Sequence, residues 1–343
     1  MKVAFRLLTS IAAMGIVIAP VPGADASSPH AIRAILTPEA QLRDFLQKVS
    51  AASDGTVGIA IHHIGTGKVI AINGETLFPM ASTFKVAVAG AVLSQIDKGQ
   101  ITLDTMLPVD MAKLVDSEGI ADIMRHPGVS LSIYNLLELM LTKSDNSATD
   151  MLVAQAGGPA AVTQWLRDQG ISGQRIDSDT ANLLYRAMGA NPVGGTFHDN
   201  VAAAKMADAS IHYRDMHDTP NMVFSDDPRD TSTPVAMVEL LDRIAEGKAL
   251  SKTSTDVLLD IMSRCQTGAR RLKAMLPPDT RIVHKTGSLN GTANDVGIIG
   301  LPDGTAYSVA VFVMKDFKGR ETRDRIMAET ARAAYDYFLF TGA

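Results

Sequence analysis

The chain has 343 residues, a formal net charge of −5, 46% hydrophobic residues and one cysteine, Cys265. That length and apolar content allow one large core or two lobes and exclude a disordered chain. Mild acidity with dispersed Lys and Arg excludes a nucleic-acid stripe or a polybasic membrane patch, and a single cysteine excludes an intramolecular disulfide, so the expected partner is a small molecule.

At the N-terminus, Lys2 and Arg6 flank the apolar run LLTSIAAMGIVIAP, and the small-residue stretch ADA follows at Ala24 to Ala26. This is the layout of a secretory signal over residues 1–26, with cleavage near Ala26 and a secreted or periplasmic chain over 27–343. The run falls short of the roughly 20 apolar residues that span a bilayer, so no stable membrane span is expected. After the polar SSPHA segment, Thr37 can cap a helix, Pro38 suits its first turn, and Leu42, Phe45, Leu46 and Val49 recur at helical spacing. TVGIAIHHI and KVIAIN, separated by Gly65, Thr66 and Gly67, read as a hairpin.

From about residue 82 to 280 the periodicity is helical, as in STFKVAVAGAVLSQIDKG and IYNLLELMLTKSDNSATDMLVAQAG. Strand signals return in RIVHKTG, NDVGIIG and AYSVAVFVM, before a last helix in ETRDRIMAETARAAYDYFLF. Strands at both ends with helices between predict an α/β (α+β) fold. One lobe is made of residues about 34–75 and 281–343, a helical lobe of about 76–280, and a cleft lies between them.

Three short motifs carry chemistry. In Ser82-Thr83-Phe84-Lys85, positions three apart on a helix share a face, so an amine with a pKa lowered by burial and a second cation could deprotonate the serine. In Ser144-Asp145-Asn146, a hydroxyl can relay a proton and an amide can hold a carbonyl; Ser144 or Asp145 could equally cap the helix that follows. In Lys285-Thr286-Gly287-Ser288, an ammonium and hydroxyls at a strand end would grip an anion, and Gly287 would let a ligand approach the backbone. Taken alone, the serine–lysine spacing is expected about once in a chain of this size and each three-residue pattern about a tenth of the time or less.

Together and in this order, they resemble the class A serine β-lactamases and the wider penicillin-recognising enzymes over residues about 36–340. The resemblance implies a β-lactamase/DD-peptidase-like fold, an antiparallel sheet lobe flanked by helices plus an all-helical lobe. It implies Ser82 as nucleophile activated by Lys85, Ser144 as proton relay to the lactam nitrogen, and Asn146 on the substrate's side-chain amide. Lys285 and Thr286 would bind the substrate carboxylate, with the backbone N–H groups of Ser82 and Ser288 as the oxyanion hole. Arg271, four residues after Thr267, resembles the carboxylate-assisting arginine of some members, and a swap with Arg270 stays open. No metal-ligand spacing or cofactor loop accompanies these motifs, so neither metal nor cofactor is expected, and the substrate is a β-lactam or a peptidoglycan-like molecule bound by a monomer.

One stretch departs from the family. Its Ω loop opens R-x-D and supplies a water-activating glutamate three residues later. Here Arg175, Ile176 and Asp177 fit, but Thr180 stands at the glutamate position, Leu184 at the following asparagine and Ser178 at the loop arginine, so that arginine's bridge to Asp230 is expected to be gone. No glutamate occurs between Glu138 and Glu239. The segment 177–230 is roughly three dozen residues longer than the compact loop, which suggests a lid or binding loop. Asp179 is the first candidate for a replacement base, with Asp177, His198, His212 and His217 behind it. Slow or atypical deacylation is expected, with a D-Ala-D-Ala peptidase, an esterase or a penicillin-binding protein of the same fold as alternatives.

Overall fold

The computed structural model describes residues 36–342; the expected export signal lies outside them. Helix α1 (Pro38–Ser50) starts as its sequence dictates, with the Thr37 hydroxyl accepting the Ala40 N–H at 3.2 Å and Pro38 in the first turn. Leu42, Leu46 and Val49 are buried, but Phe45 lies on the solvent side of the stripe. Strands β1 (Thr56–His63) and β2 (Lys68–Ile72) form the expected antiparallel hairpin, with Ile59 opposite Ile72.

The chain then runs through β3 (Phe78–Pro79), a tight 3-10 turn at Ala81–Phe84, α2 (Lys85–Asp97), β4 (Met106–Pro108), α3 (Ile120–Ile123), β5 (Ser130–Ser132) and α4 (Ile133–Glu138). A π-type turn over Leu139–Lys143 leads to α5 (Asn146–Ala156) and α6 (Pro159–Asp168). Next come α7 (Thr180–Met188), α8 (Phe197–Ala207), α9 (Ala209–His217), α10 (Met222–Ser225), β6 (Thr231–Ser232), α11 (Pro234–Ala245) and α12 (Lys252–Ser263). Strands β7 (Ile282–Leu289), β8 (Thr292–Gly300) and β9 (Ala306–Met314) and helix α13 (Arg320–Thr341) complete the fold.

The main sheet is antiparallel in the order β2-β1-β9-β8-β7, which joins the first and last thirds of the chain. Period-two alternation sends Val57, Ile59, Ile61, Val309, Val311 and Val313 toward α1 and α13. Ala60, Ala310 and Phe312 face the other way, into the core shared with the helices. Both sheet faces are therefore covered, which is why β9 is apolar on both faces apart from Ser308.

The helical lobe is built around α2, whose residues Lys85 to Leu93 are all buried. Such a helix shows no amphipathic stripe because neighbours surround it. Gly90 marks the closest approach: a Cβ there would lie 2.2 Å from the Trp165 ring.

The long segment 177–230 carries four helices, α7 to α10, joined by short turns. Tyr185, Phe197, Ile211, Ala190 and Val115 form a small core of its own, with the Tyr185 and Phe197 rings stacked at 5.0 Å. The fold places Ser82 at the N-terminal side of α2, Ser144 before α5 and Lys285 on edge strand β7. Three sequence-distant segments thus face one cleft.

Candidate active site

Ser82 is half-buried on the 3-10 turn that opens into α2. The preceding Ala81 takes φ +45°, a left-handed conformation that a non-glycine residue adopts only when its surroundings hold it there. Those surroundings are identifiable: Asn294 Nδ2 on β8 donates to the carbonyls of Pro79 and Met80, each at 2.9 Å. The Met80 N–H donates to the Asp230 carbonyl at 3.0 Å. The nucleophile's turn is therefore tied to both the sheet and the end of the long loop.

Lys85 is fully buried. Its Nζ donates to the Ser144 carbonyl at 2.7 Å, to Ser144 Oγ at 3.2 Å and to Asn146 Oδ1 at 2.9 Å. The amine shares a helix face with Ser82, yet its donors are engaged by the Ser144 segment and not by the Ser82 hydroxyl. Lys285, also fully buried, donates from Nζ to Ser144 Oγ at 3.0 Å and to the Thr286 carbonyl at 2.8 Å. Two lysine amines thus converge on one hydroxyl oxygen. Burial holds the Lys85 pKa well below the ordinary lysine value, and the Lys285 charge adds to this against Asp145 and Asp150. Burial also lowers Lys285, to about 8, opposed by Cys265 and Asp295.

Ser144 sits at φ +61° where the π-type turn ends, so its hydroxyl projects between the two lysines. Asp145 caps α5, accepting the Ala148 N–H at 2.7 Å, and its second oxygen accepts the Ile120 N–H at 2.7 Å. The capping role read as an alternative for this motif thus falls to Asp145 and leaves Ser144 free for the cleft. Asn146 donates from Nδ2 to the Asp116 carbonyl at 3.0 Å, and Ser117 Oγ accepts its backbone N–H at 3.1 Å.

On β7, Gly287 lies so close to the nucleophile turn that a Cβ would meet Met80 O at 2.6 Å and Ser82 N at 2.9 Å. Thr286 Oγ1 is 2.6 Å from Thr267 Oγ1. Ser288 is exposed, and its hydroxyl accepts from Arg271 Nη2 at 2.7 Å. Arg271 is buried, held by Asp324 at 2.8 Å and by the carbonyls of Gly287 and Asn294 at 3.0 and 2.9 Å. Arg270 is exposed, so Arg271 is the arginine that reaches this end of the cleft. Behind Lys285, burial would lower the His284 imidazolium, but the Asp295 carboxylate at 2.9 Å overcomes this and raises it to about 10. Neighbouring Cys265, which burial would raise, is brought down to about 6 by His284. His284 and Arg271, each paired with a carboxylate, thus stand behind the proposed carboxylate end beside Lys285.

The long loop brings its own correction. Ser178 has no charge, yet Asp230 is not left without a cation: Arg186, on the face of α7, pairs with it and with Asp227 at 2.8 Å. The other Asp230 oxygen accepts the N–H groups of Asp177 and Ser178 at 2.7 and 3.0 Å. The bridge expected to be absent is made from eight residues further along. Asp179 caps α7, accepting the Asn182 N–H at 2.8 Å, while Asp177 pairs with Arg175 and accepts the Asp230 N–H at 2.9 Å. His198 contacts Asp116 at 3.2 Å, and His212 and His217 are exposed on α9. Thr180 is buried, and its N–H donates to Asp150 at 2.6 Å. Leu184, Phe197, Phe224 and Leu289 help line a cavity of about 300 Å³ beside Ser288. Among the described residues, no cluster of three His, Cys, Asp or Glu side chains is arranged to hold a metal ion.

Residues 41–338 match the family described as the β-lactamase enzyme family. The chain belongs to this family. It is similar to the extended-spectrum β-lactamase PER-1 of Pseudomonas aeruginosa, with 29% identity over 306 residues covering 87% of each chain. A β-lactamase of Bacteroides uniformis is 30% identical over 307 residues, 86% of this chain and 90% of that one. Among solved structures, an ancestral class A β-lactamase superposes with a TM-score of 0.71 and 31% identity, over 87% of this chain and all of that one. A β-lactamase from Chitinophaga pinensis gives 0.70 and 29%, over 86% and 98%. The protein is thus a class A β-lactamase-type serine hydrolase with the family's antiparallel sheet and helical lobe.

Within this β-lactamase-family fold, Asp116 and Ser117, which position Asn146, went unnoticed in the sequence because nothing local marks them. Asp150 and Arg186 carried a legible signal. Asp150 stands four residues after Asn146 on one helix face, and Arg186 is the nearest basic residue following the missing loop arginine.

Proposed function

We propose that this protein hydrolyses β-lactam antibiotics through an acyl-enzyme on Ser82, with release of the acyl group as the slow step. The observation that carries this reading is Ser144 Oγ lying 3.2 Å from Lys85 Nζ and 3.0 Å from Lys285 Nζ. A neutral Lys85 takes the Ser82 proton as Oγ adds to the lactam carbonyl, and Ser144 passes a proton to the departing nitrogen. The Lys285 charge holds the Ser144 oxygen in place, and with Thr286, Ser288 and Arg271 it attracts the substrate carboxylate. The Ser82 and Ser288 N–H groups receive the oxyanion, and Asn146 the side-chain amide. Thr180 brings no carboxylate to the water, and losing one general base typically slows a step by 10²- to 10⁴-fold.

Export directed by the N-terminal signal and action as a monomer belong to the same reading. The likeness to β-lactamases along most of the chain supports hydrolysis over the peptidase alternative. Purified mature protein mixed with nitrocefin and with a fluorescent penicillin, followed by absorbance and intact mass, tests it. Wild type is expected to turn over nitrocefin through a transient adduct, and Ser82→Ala to form no adduct and lose turnover. A Ser82→Ala protein that still hydrolyses nitrocefin refutes the nucleophile.

A further inference from the structure

The proton path above ends at the acyl-enzyme and assigns no acceptor for the proton of the water that must release it. The carboxylate in contact with Thr180 is Asp150, one turn beyond Asn146 on α5 and on the same face. Its Oδ1 accepts the Thr180 N–H at 2.6 Å and its Oδ2 the Ala181 N–H at 3.1 Å. The Thr180 hydroxyl lies beside the same carboxylate, is 3% exposed and closes no hydrogen bond of normal geometry. A buried hydroxyl in that condition is unfavourable, and the penalty is relieved when it donates to Asp150 and accepts from a water.

We propose that Asp150, acting through the Thr180 hydroxyl, takes up the proton of the deacylating water; this rests on the Ser82 acyl-enzyme reading. As the water oxygen adds to the ester carbonyl carbon, its proton passes to Thr180 Oγ1 and the Thr180 proton passes to Asp150. The tetrahedral adduct then collapses, the carbon–Ser82 Oγ bond breaks, and the proton returns along the same path to Ser82 Oγ. Asp150 faces Asp179 before α7, Asp110 and Lys113 across a shared cavity of about 660 Å³, and Lys85 on α2. Burial, with Asp179 as the like charge beside it, raises its pKa to about 6 against the bonds from Thr180 and Ala181. A carboxylate so placed is ionised at neutral pH and basic enough for proton transfer.

The test measures acylation and deacylation of the full mature protein separately, by burst and single-turnover kinetics with nitrocefin from pH 5 to 8. Wild-type deacylation is expected to rise through about pH 6 and then level. Asp150→Asn and Thr180→Val are each expected to slow deacylation by about 10²- to 10⁴-fold with acylation unchanged, and to abolish the rise. Thr180→Ser, which keeps the hydroxyl, is expected to restore both rate and profile. Wild-type rates in Asp150→Asn or Thr180→Val, equal loss of acylation and deacylation, or a wild-type adduct that never hydrolyses overturns the proposal. Absence of any wild-type adduct on Ser82 overturns the acyl-enzyme reading itself, and this one with it.

Discussion

Arg186→Ala removes the cation that joins α7 to the end of the long loop. In the folded protein its guanidinium contacts Asp230, Asp227 Oδ2 at 2.8 Å and Ser178 Oγ at 3.2 Å, and it lies 5.5 Å from the Phe224 ring centroid. Asp227 keeps Arg229 as a partner, so its loss is small. Asp230 keeps only backbone donors and is 2% exposed. Breaking a buried pair from one side costs about 3–5 kcal/mol, and the two N–H groups left on Asp230 place this case near the lower end. A loss of about 3 kcal/mol is roughly a hundredfold in the folded-to-unfolded ratio. For a body of roughly 300 residues the unfolding entropy converts it to about 4–5 °C in Tm.

Urea unfolding followed by circular dichroism, with the m-value checked for constancy, reads the change. Asp230→Asn keeps an oxygen for the Asp177 and Ser178 N–H groups while removing the charge. The double variant Arg186→Ala/Asp230→Asn is therefore expected to recover about 1–2 kcal/mol relative to Arg186→Ala alone. A loss under about 1 kcal/mol for Arg186→Ala, or strictly additive effects in the double variant, refutes the pairing as the loop's anchor.

Two further outcomes follow from close contacts. Arg271→Lys cannot reproduce bonds to Asp324, Gly287 O, Asn294 O and Ser288 Oγ at once, so it is expected to raise KM for carboxylate-bearing β-lactams about 10- to 100-fold with a smaller change in kcat. Steady-state kinetics check this, and an unchanged KM contradicts it. Gly90→Ala gains about 1 kcal/mol of helix propensity but drives a methyl to 2.2 Å from the Trp165 ring, where overpacking costs about 1–3 kcal/mol. Net destabilisation is expected in urea unfolding, and a stabilised variant means that Trp165 moves aside freely.

How much was legible in the sequence depended on the range of the interactions involved. The motifs at Ser82, Ser144 and Lys285 could be read because each is a few adjacent residues on one local element, and the topology then brings Lys85 and Lys285 within 3.2 Å of the Ser144 hydroxyl. The Thr37 cap and the β1–β2 hairpin are local in the same sense. Phe45 fitted the apolar spacing of α1 but lies at the edge of the stripe, where spacing alone does not separate core from solvent. Arg186 was legible as the nearest basic residue after the missing loop arginine, but its pairing with Asp230 spans 44 residues and depends on how α7 returns to the loop's end. Asp150 escaped notice because the search for a carboxylate stayed within the loop, whereas the nearest one to Thr180 stands on the helix beneath it. The swap between Arg270 and Arg271 could be settled only by burial.

The inserted helices carry a small hydrophobic centre of their own around Tyr185 and Phe197, while Val193, Met206, Met216 and Val223 stand in solvent on the same segment. Anchoring and display are thus assigned to different residues of one element. Substitutions at those four outward positions can recontour the exposed face of this segment without disturbing the small core that anchors it. The outer face of the segment can therefore vary in sequence while the fold beneath it stays constant.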